Sequence, residues 1–346
     1  MKKTLAMLLA LSMILILCAC GSAAAPASSD AAPVDDATVY TMTICHDEVL
    51  DSPQHMAMLA LEEYLETESN GRLQVEIYAN GELGSAEKLL EMISMNTLQG
   101  SGFSSDYLSA FDNRLSFMQL PFLFDDYDQV NELVFNPDGS LHKIYQDIAI
   151  ENGFYVLGFQ YDGTRNFSNN VRPIETADDM KGLKVRAQQT SISVATFEAL
   201  GCNATSMAYS EVYTALQQGV VDGQDNPAAL TLAGKFNEVQ KYYSTLGHNA
   251  GIAVFVTNYN WLQSLPEDLR EMVLYAGEEI GAKQQREAVR ANETGALEAI
   301  NASGCAVNYI TDKSSFIEAT KPVYEEYRGI YGDEFMDNIL SIVGKA

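Results

Sequence analysis

Basic residues are scarce in this chain: 21 lysines and arginines stand against 47 aspartates and glutamates, a formal net charge of -26. That balance excludes a nucleic-acid binder and a protein held on an anionic membrane by basic patches. Cysteine is also sparse, with five in 346 residues and no CxxC pair, and the four histidines (His46, His55, His142, His248) show no HExxH spacing. Neither a structural nor a catalytic metal is expected, and no cofactor is implied. Leaving aside Cys18 and Cys20 near the N-terminus, Cys45, Cys202 and Cys305 are too few and scattered for a disulfide framework. They read as small buried residues, with one disulfide left open. A GxSxG elbow is missing, as is a plausible Cys/His pair, so nothing in the sequence argues for an enzyme. Beyond the N-terminus no stretch is both long and uncharged enough to cross a membrane, which takes roughly 20 apolar residues.

What is present begins with Lys2 and Lys3, an apolar run from Leu5 to Leu17, and then Leu17-Cys18-Ala19-Cys20-Gly21. Basic start, short apolar core and small residues make a secretory signal peptide over residues 1–19. Leucine three positions before Cys20, alanine just ahead of it and glycine after it resemble a bacterial lipobox. Cys20 is therefore the expected lipid anchor; Cys18 fits the pattern less well, and an ordinary cleaved signal is the alternative. Residues 20–38, rich in Ala, Ser and Pro, read as a flexible tether.

The whole sequence is 47% hydrophobic, enough for a substantial core and two domains. Strands are expected from Val39 to Cys45, at Leu73-Val75-Ile77, near Gly102-Phe103-Ser104, from Phe154 to Phe159 and from Leu183 to Arg186. Helices are expected after Ser52-Pro53, from Ser85 to Met95, from Leu141 to Glu151 and from Ser191 to Leu200. This β-α-β-α order signals sheets flanked by helices. Glu267 to Ala302 contains no proline and keeps helical spacing, so it predicts a helix of roughly 50 Å at 1.5 Å per residue, long enough to brace two domains.

Arg186 falls at the C-terminal end of its strand and ahead of a helix, a place suited to forking onto a carboxylate. His46 and Ser104 sit at comparable strand ends. Asp222-Gly223 reads as a turn, and Asn226 before Pro227 is also ordinary turn chemistry.

Gly182-Leu-Lys-Val-Arg186 and the run from Ser210 to Pro227 (Ser-Glu-Val-Tyr-Thr-Ala-Leu-Gln-Gln-Gly-Val-Val-Asp-Gly-Gln-Asp-Asn-Pro) resemble the solute-binding subunit of tripartite ATP-independent periplasmic (TRAP) transporters, the DctP-like family. The likeness extends to Ser52-Pro53-Gln54-His55, Gly81-Glu82-Leu83-Gly84 and Leu120-Pro121-Phe122. It implies that Arg186 pairs with a substrate carboxylate, that Arg165 in Gly163-Thr-Arg165 is a second arginine, and that Asn226 and Tyr209 are ligand contacts. Asn166, beside Arg165, and the nearby Asn169 and Asn170 offer amides to sugar hydroxyls, favouring a uronic or other sugar acid over a C4-dicarboxylate.

The implied architecture is α/β, a two-domain periplasmic-binding-protein-like fold with a hinge and the long C-terminal helix bridging the domains. Residues 39–163 with 252–291 would form one domain and residues 164–251 with 292–346 the other. The implied function is capture of a small carboxylate outside the cytoplasm, by a lipid-anchored monomer, for delivery to a TRAP membrane permease. In so acidic a chain the site must supply its own positive field, since screening over roughly 8 Å lets local arginines outweigh distant carboxylates. The alternatives are a secreted enzyme on a periplasmic-binding scaffold and the ligand-binding component of a chemoreceptor.

Overall fold

The computed structural model describes residues 38–346. The signal at 1–19, the Cys20 anchor and nearly all of the 20–38 tether lie outside the described residues. Among those residues no helix is long and apolar enough to cross a membrane.

Two sheets organise the chain. The first contains β1 (Tyr40–Cys45), β2 (Leu73–Tyr78), β3 (Gly100–Ser104), β4 (Phe154–Tyr161) and β10 (Ile252–Asn258), in the order β2-β1-β3-β10-β4. The second contains β5 (Arg165–Asn169), β6 (Lys184–Ala187), β7 (Asn203–Ser206), β8 (Gly223–Asn226), β9 (Tyr242–Asn249) and β11 (Ala306–Asn308), in the order β11-β9-β5-β8-β6-β7. β1 runs parallel to both β2 and β3, so a crossover must separate each pair in the chain. The helices Pro53–Glu68 and Ala86–Ser94 make those crossovers. The first starts as its sequence predicts, with Pro53 in the first turn and the Ser52 hydroxyl accepting from the His55 amide at 3.1 Å. Its buried face is Met58, Leu61 and Leu65, which pack with Met42, Ile44 and Phe255 of the sheet.

β4 is an edge strand, and side-chain amides close it off. Gln146 accepts from the Val156 amide at 3.0 Å, and Gln285 both accepts from the Tyr161 amide and donates to the Tyr161 carbonyl at 3.0 Å. These glutamines occupy backbone groups that an exposed edge would offer to another chain. Gln285 belongs to the long helical segment, 36 residues from Glu267 to Ala302. That segment is α-helical at both ends and widened to a π-helix over Ala276–Gln284, where it packs on the first sheet. Further along, Ala296 and Ile300 pack with Tyr243 of the second sheet and with Ala228 in the helix that follows β8.

Two of the places where the chain passes between the sheets adjoin, after β4 and before β10. There the Asp162 amide donates to the Gly251 carbonyl at 2.9 Å. Gly163 and Gly251 have φ of +106° and +61°, and a Cβ on Gly251 would come within 2.0 Å of the Gly163 carbonyl oxygen. Only glycine fits so close a backbone crossing.

The C-terminal region is shared. β11 pairs with β9 and Phe316 lies in the second sheet's core. Val323, Tyr327, Tyr331, Met336 and Ile339 instead pack with Phe117 and Tyr145 in the core of the first. The Tyr331 hydroxyl meets Ser116 Oγ at 2.7 Å, fixing that return. Cys45, Cys202 and Cys305 are all buried free thiols, so the one disulfide left open is not made. Burial pushes the Cys45 and Cys305 thiols up to about 11, which keeps them protonated and inert.

Candidate functional site

The ends of several strands from both sheets meet at one cavity. β1 delivers Asp47 and Glu48 just past its last residue, β3 delivers Phe103 and Ser104, and Asp162 follows β4. The second sheet contributes Arg165 from the start of β5, Arg186 from β6 and Asn226 from the end of β8. Tyr107, Gln188, Tyr209 and Leu230 complete the wall. This is the strand-end location at which open α/β sheets bind ligands.

Arg186 is 2 % exposed. Its Nε donates to the Met207 carbonyl at 3.0 Å, and among the described residues no carboxylate forms an ion pair with it. Burial depresses its pKa, with Tyr107, Asp225 and Asp47 partly countering. Two nitrogens of its fork are thus left without a protein acceptor, an expensive arrangement that a bound carboxylate would repair.

Arg165 is different. Its Nε lies 2.6 Å from Asp225 Oδ2, and its terminal nitrogen donates to the Asp225 carbonyl at 2.7 Å. His248 Nε2 approaches the same Asp225 oxygen at 3.3 Å. Arg165 therefore lines the cavity with most of its charge already answered by Asp225.

Ser104, Tyr209 and Asn226 also line the cavity, each held by a protein partner. Ser104 Oγ donates to Asp106 at 2.7 Å, Tyr209 reaches the Leu230 carbonyl at 3.4 Å, and Asn226 donates to Gln224 at 2.6 Å. Tyr209 also meets Phe236 edge-on, with centroids 5.5 Å apart.

His46 and Asn166 are not in the lining. His46 turns toward the helix Pro53–Glu68, where its Nε2 meets His55 Nδ1 at 3.0 Å. Asn166 accepts from the Gly247 amide at 3.0 Å and donates to the Thr164 carbonyl at 3.2 Å, so its amide holds backbone together. The neighbouring asparagines are similarly engaged: Asn169 accepts from Val171 and Arg172 amides at 2.8 and 2.9 Å, and Asn170 donates to the Val239 carbonyl at 2.8 Å. These bonds hold the Asn166 and Asn170 amides to the backbone, whereas the Asn169 Nδ2 is buried without a partner. The turn expected at Asp222-Gly223 gives way from Gly223 onward to β8, a buried strand between β5 and β6.

The family model for bacterial extracellular solute-binding proteins of family 7, DctP, matches residues 45–329. This chain belongs to that family. A curated family relative, a solute-binding protein of Verminephrobacter eiseniae, is 30% identical over 304 residues, covering 87% of this chain and 89% of the relative. The C4-dicarboxylate-binding periplasmic protein DctP of Vibrio cholerae is 28% identical over 291 residues, covering 84% and 86%. Among solved structures, a TRAP periplasmic solute binding protein from Sulfitobacter sp. NAS-14.1 with bound β-D-galacturonate superposes with a TM-score of 0.83 at 30% identity, covering 88% of this chain and all of that one.

Sequence reasoning missed the acidic residues of this family 7 cavity: Asp47, Glu48 and Asp162. Their signal was position. Asp47 and Glu48 come one residue after the first strand, beyond His46, and Asp162 directly follows the fourth, each near a strand end where ligand groups gather.

Proposed function

We propose that this protein binds a small organic acid outside the cytoplasm and delivers it to a TRAP-type membrane permease, with Arg186 receiving the ligand's carboxylate. The observation that carries this reading is the buried Arg186 guanidinium, which lacks an ion-pair partner among the described residues. Arg165, its charge largely answered by Asp225, stands beside it as a wall of the cavity, and Asn226 and Tyr209 supply polar and aromatic contacts. The relatives' ligands, galacturonate and C4-dicarboxylates, are acids of this size.

The cavity is partly open and has about 40 Å³ of free volume, too little for a sugar acid. The two sheets' lobes, 39–163 with 252–291 and 164–251 with 292–346, part to admit the ligand. The glycine crossing at Gly163 and Gly251 is the hinge, and the segment from Glu267 to Ala302 bends with it. Reclosure excludes water, and the lower dielectric strengthens the arginine-carboxylate pair. The protein acts by binding alone, as a monomer anchored through Cys20, and releases its ligand unchanged.

Mass spectrometry of acid co-purified with the protein, followed by titration calorimetry on wild type and Arg186→Ala, tests the reading. An unchanged dissociation constant in the variant removes Arg186 from the site. Conversion of the ligand to product on incubation replaces transport by catalysis.

A further inference from the structure

The cavity that contains Arg186 has an acidic wall whose charge is not matched by protein cations. Asp47, Glu48 and Asp162 all line it. Arg165, the second arginine there, is already paired with Asp225. Glu48 is 8 % exposed, and its Oε2 is buried without a hydrogen-bond partner. When ionised, that oxygen can only accept, so what it lacks is a donor, and a ligand donor placed there would also favour the ionised form.

The two deepest acids of this wall also disfavour each other's charge. Burial and then Asp162 raise Glu48 well above the ordinary carboxylate range. Burial lifts Asp162 to about 7, with Arg165 opposing and Asp47 reinforcing the rise. A ligand with a second carboxylate would add a further negative charge to this wall, with no free guanidinium to answer it. A ligand with hydroxyl or ammonium groups would satisfy Glu48 instead.

We propose that the pocket selects monocarboxylates whose other end donates hydrogen bonds, and rejects dicarboxylates, with Arg186 taking the carboxylate and Glu48 and Asp162 taking the donors. This rests on the carboxylate reading of Arg186 and specifies what lies at the ligand's far end. The donor end is a hydroxyl-bearing carbon or an ammonium group.

Two matched pairs test it by titration calorimetry on the intact folded protein. Galactonate and galactarate share a six-carbon polyhydroxy chain and differ in whether the second end is a hydroxyl or a carboxylate. The pair 4-aminobutanoate and succinate exchanges an ammonium for a carboxylate. The monoacid of at least one pair is expected to bind tenfold or more tightly than its diacid, and the pair that shows this tells hydroxyl from ammonium recognition. Glu48→Gln and Asp162→Asn, which keep shape and remove charge, are each expected to narrow that gap, with melting curves confirming that both variants fold. A diacid that binds as tightly as its monoacid in both pairs overturns the proposal, and so does a gap unchanged in both variants. Absence of binding by all four acids overturns it too. The Arg186 reading is judged apart from these outcomes, by whether Arg186→Ala loses the co-purified acid.

Discussion

Arg165 and Asp225 form a buried ion pair, Nε to Oδ2 at 2.6 Å, on neighbouring antiparallel strands of the second sheet. Two arginines thus stand in one cavity with opposite assignments. Arg165 is bound into the scaffold, and Arg186 keeps its fork free. The distinction matters because removing one member of a buried pair strands the other, whereas removing an unpaired buried charge relieves a cost.

Asp225→Ala is accordingly expected to destabilise the fold by roughly 3–5 kcal/mol, the scale for leaving a buried partner uncompensated. Urea denaturation at neutral pH reads this directly. Burial alone would raise the Asp225 carboxyl, but Arg165 and His248 outweigh it and hold it below its ordinary 3.8. A depressed acid gives stability that is complete above the unfolded value and disappears as pH falls through the folded one. The Asp225 contribution should therefore vanish only below about pH 4, and the variant's deficit against wild type should shrink there.

Arg186→Met should behave in the opposite way without ligand. It removes a charge that burial disfavours and that no carboxylate pairs with, so the free protein should gain on the order of 1 kcal/mol, read as a higher melting temperature. The same change, or Arg186→Ala, should weaken acid binding by roughly 2–5 kcal/mol. Arg186→Lys should not restore it, because an ammonium cannot reproduce a two-pronged fork. A destabilised free protein with normal binding would assign Arg186 to the scaffold.

How much of this was legible in the sequence depends on apolar alternation. β1, β2, β4 and the helix after Ser52 carry it and were placed from it, as was the long segment ending at Ala302. β5, reading Arg-Asn-Phe-Ser-Asn, and β8, reading Gly-Gln-Asp-Asn, are fully buried yet almost entirely polar. Several of their polar side chains bond one another or nearby backbone, as when Gln224 donates to Ser168 at 2.9 Å and Asn169 accepts from the Val171 amide, so burial leaves no hydrophobic signature. The same polarity hid the partnership of Arg165 with Asp225, residues 60 positions apart. Arg186 stands out in the sequence because its strand is apolar ahead of it and because the motif around it resembles a family. His46 shows that a strand end says where a residue lies and not which way its ring turns, here toward His55.

That ring carries its own pH dependence. Burial, with a smaller effect from His55, lowers His46 from 6.5 to about 4. Between those values the unfolded chain takes up a proton that the folded protein refuses. Stability from this residue is therefore complete above pH 6.5 and is lost as pH falls toward 4, by roughly 3 kcal/mol at most. His46→Gln should flatten the dependence of the urea midpoint on pH across that interval. A wild-type midpoint that does not change between pH 7 and pH 4 would contradict the burial argument.

The crossing between the sheets offers a test that separates backbone strain from steric conflict. Gly251 has φ +61° and stands so close to Gly163 that a Cβ would meet its carbonyl oxygen at 2.0 Å. Gly304 also has a positive φ, +96°, but nothing lies within 4 Å of where its Cβ would be. Gly304→Ala should therefore cost only the conformational penalty, about 1 kcal/mol. Gly251→Ala carries that penalty and must also push apart the two connections, because the obstructing atom is backbone and has no rotamer by which to yield. Its cost should exceed that of Gly304→Ala by about 1–3 kcal/mol, the range for overpacked sites. If the crossing is also the hinge, Gly251→Ala should slow ligand association in stopped-flow mixing while Gly304→Ala leaves it unchanged. Equal losses of stability in the two variants would mean that the connections separate freely, and the close crossing would then place no restraint on how the lobes part.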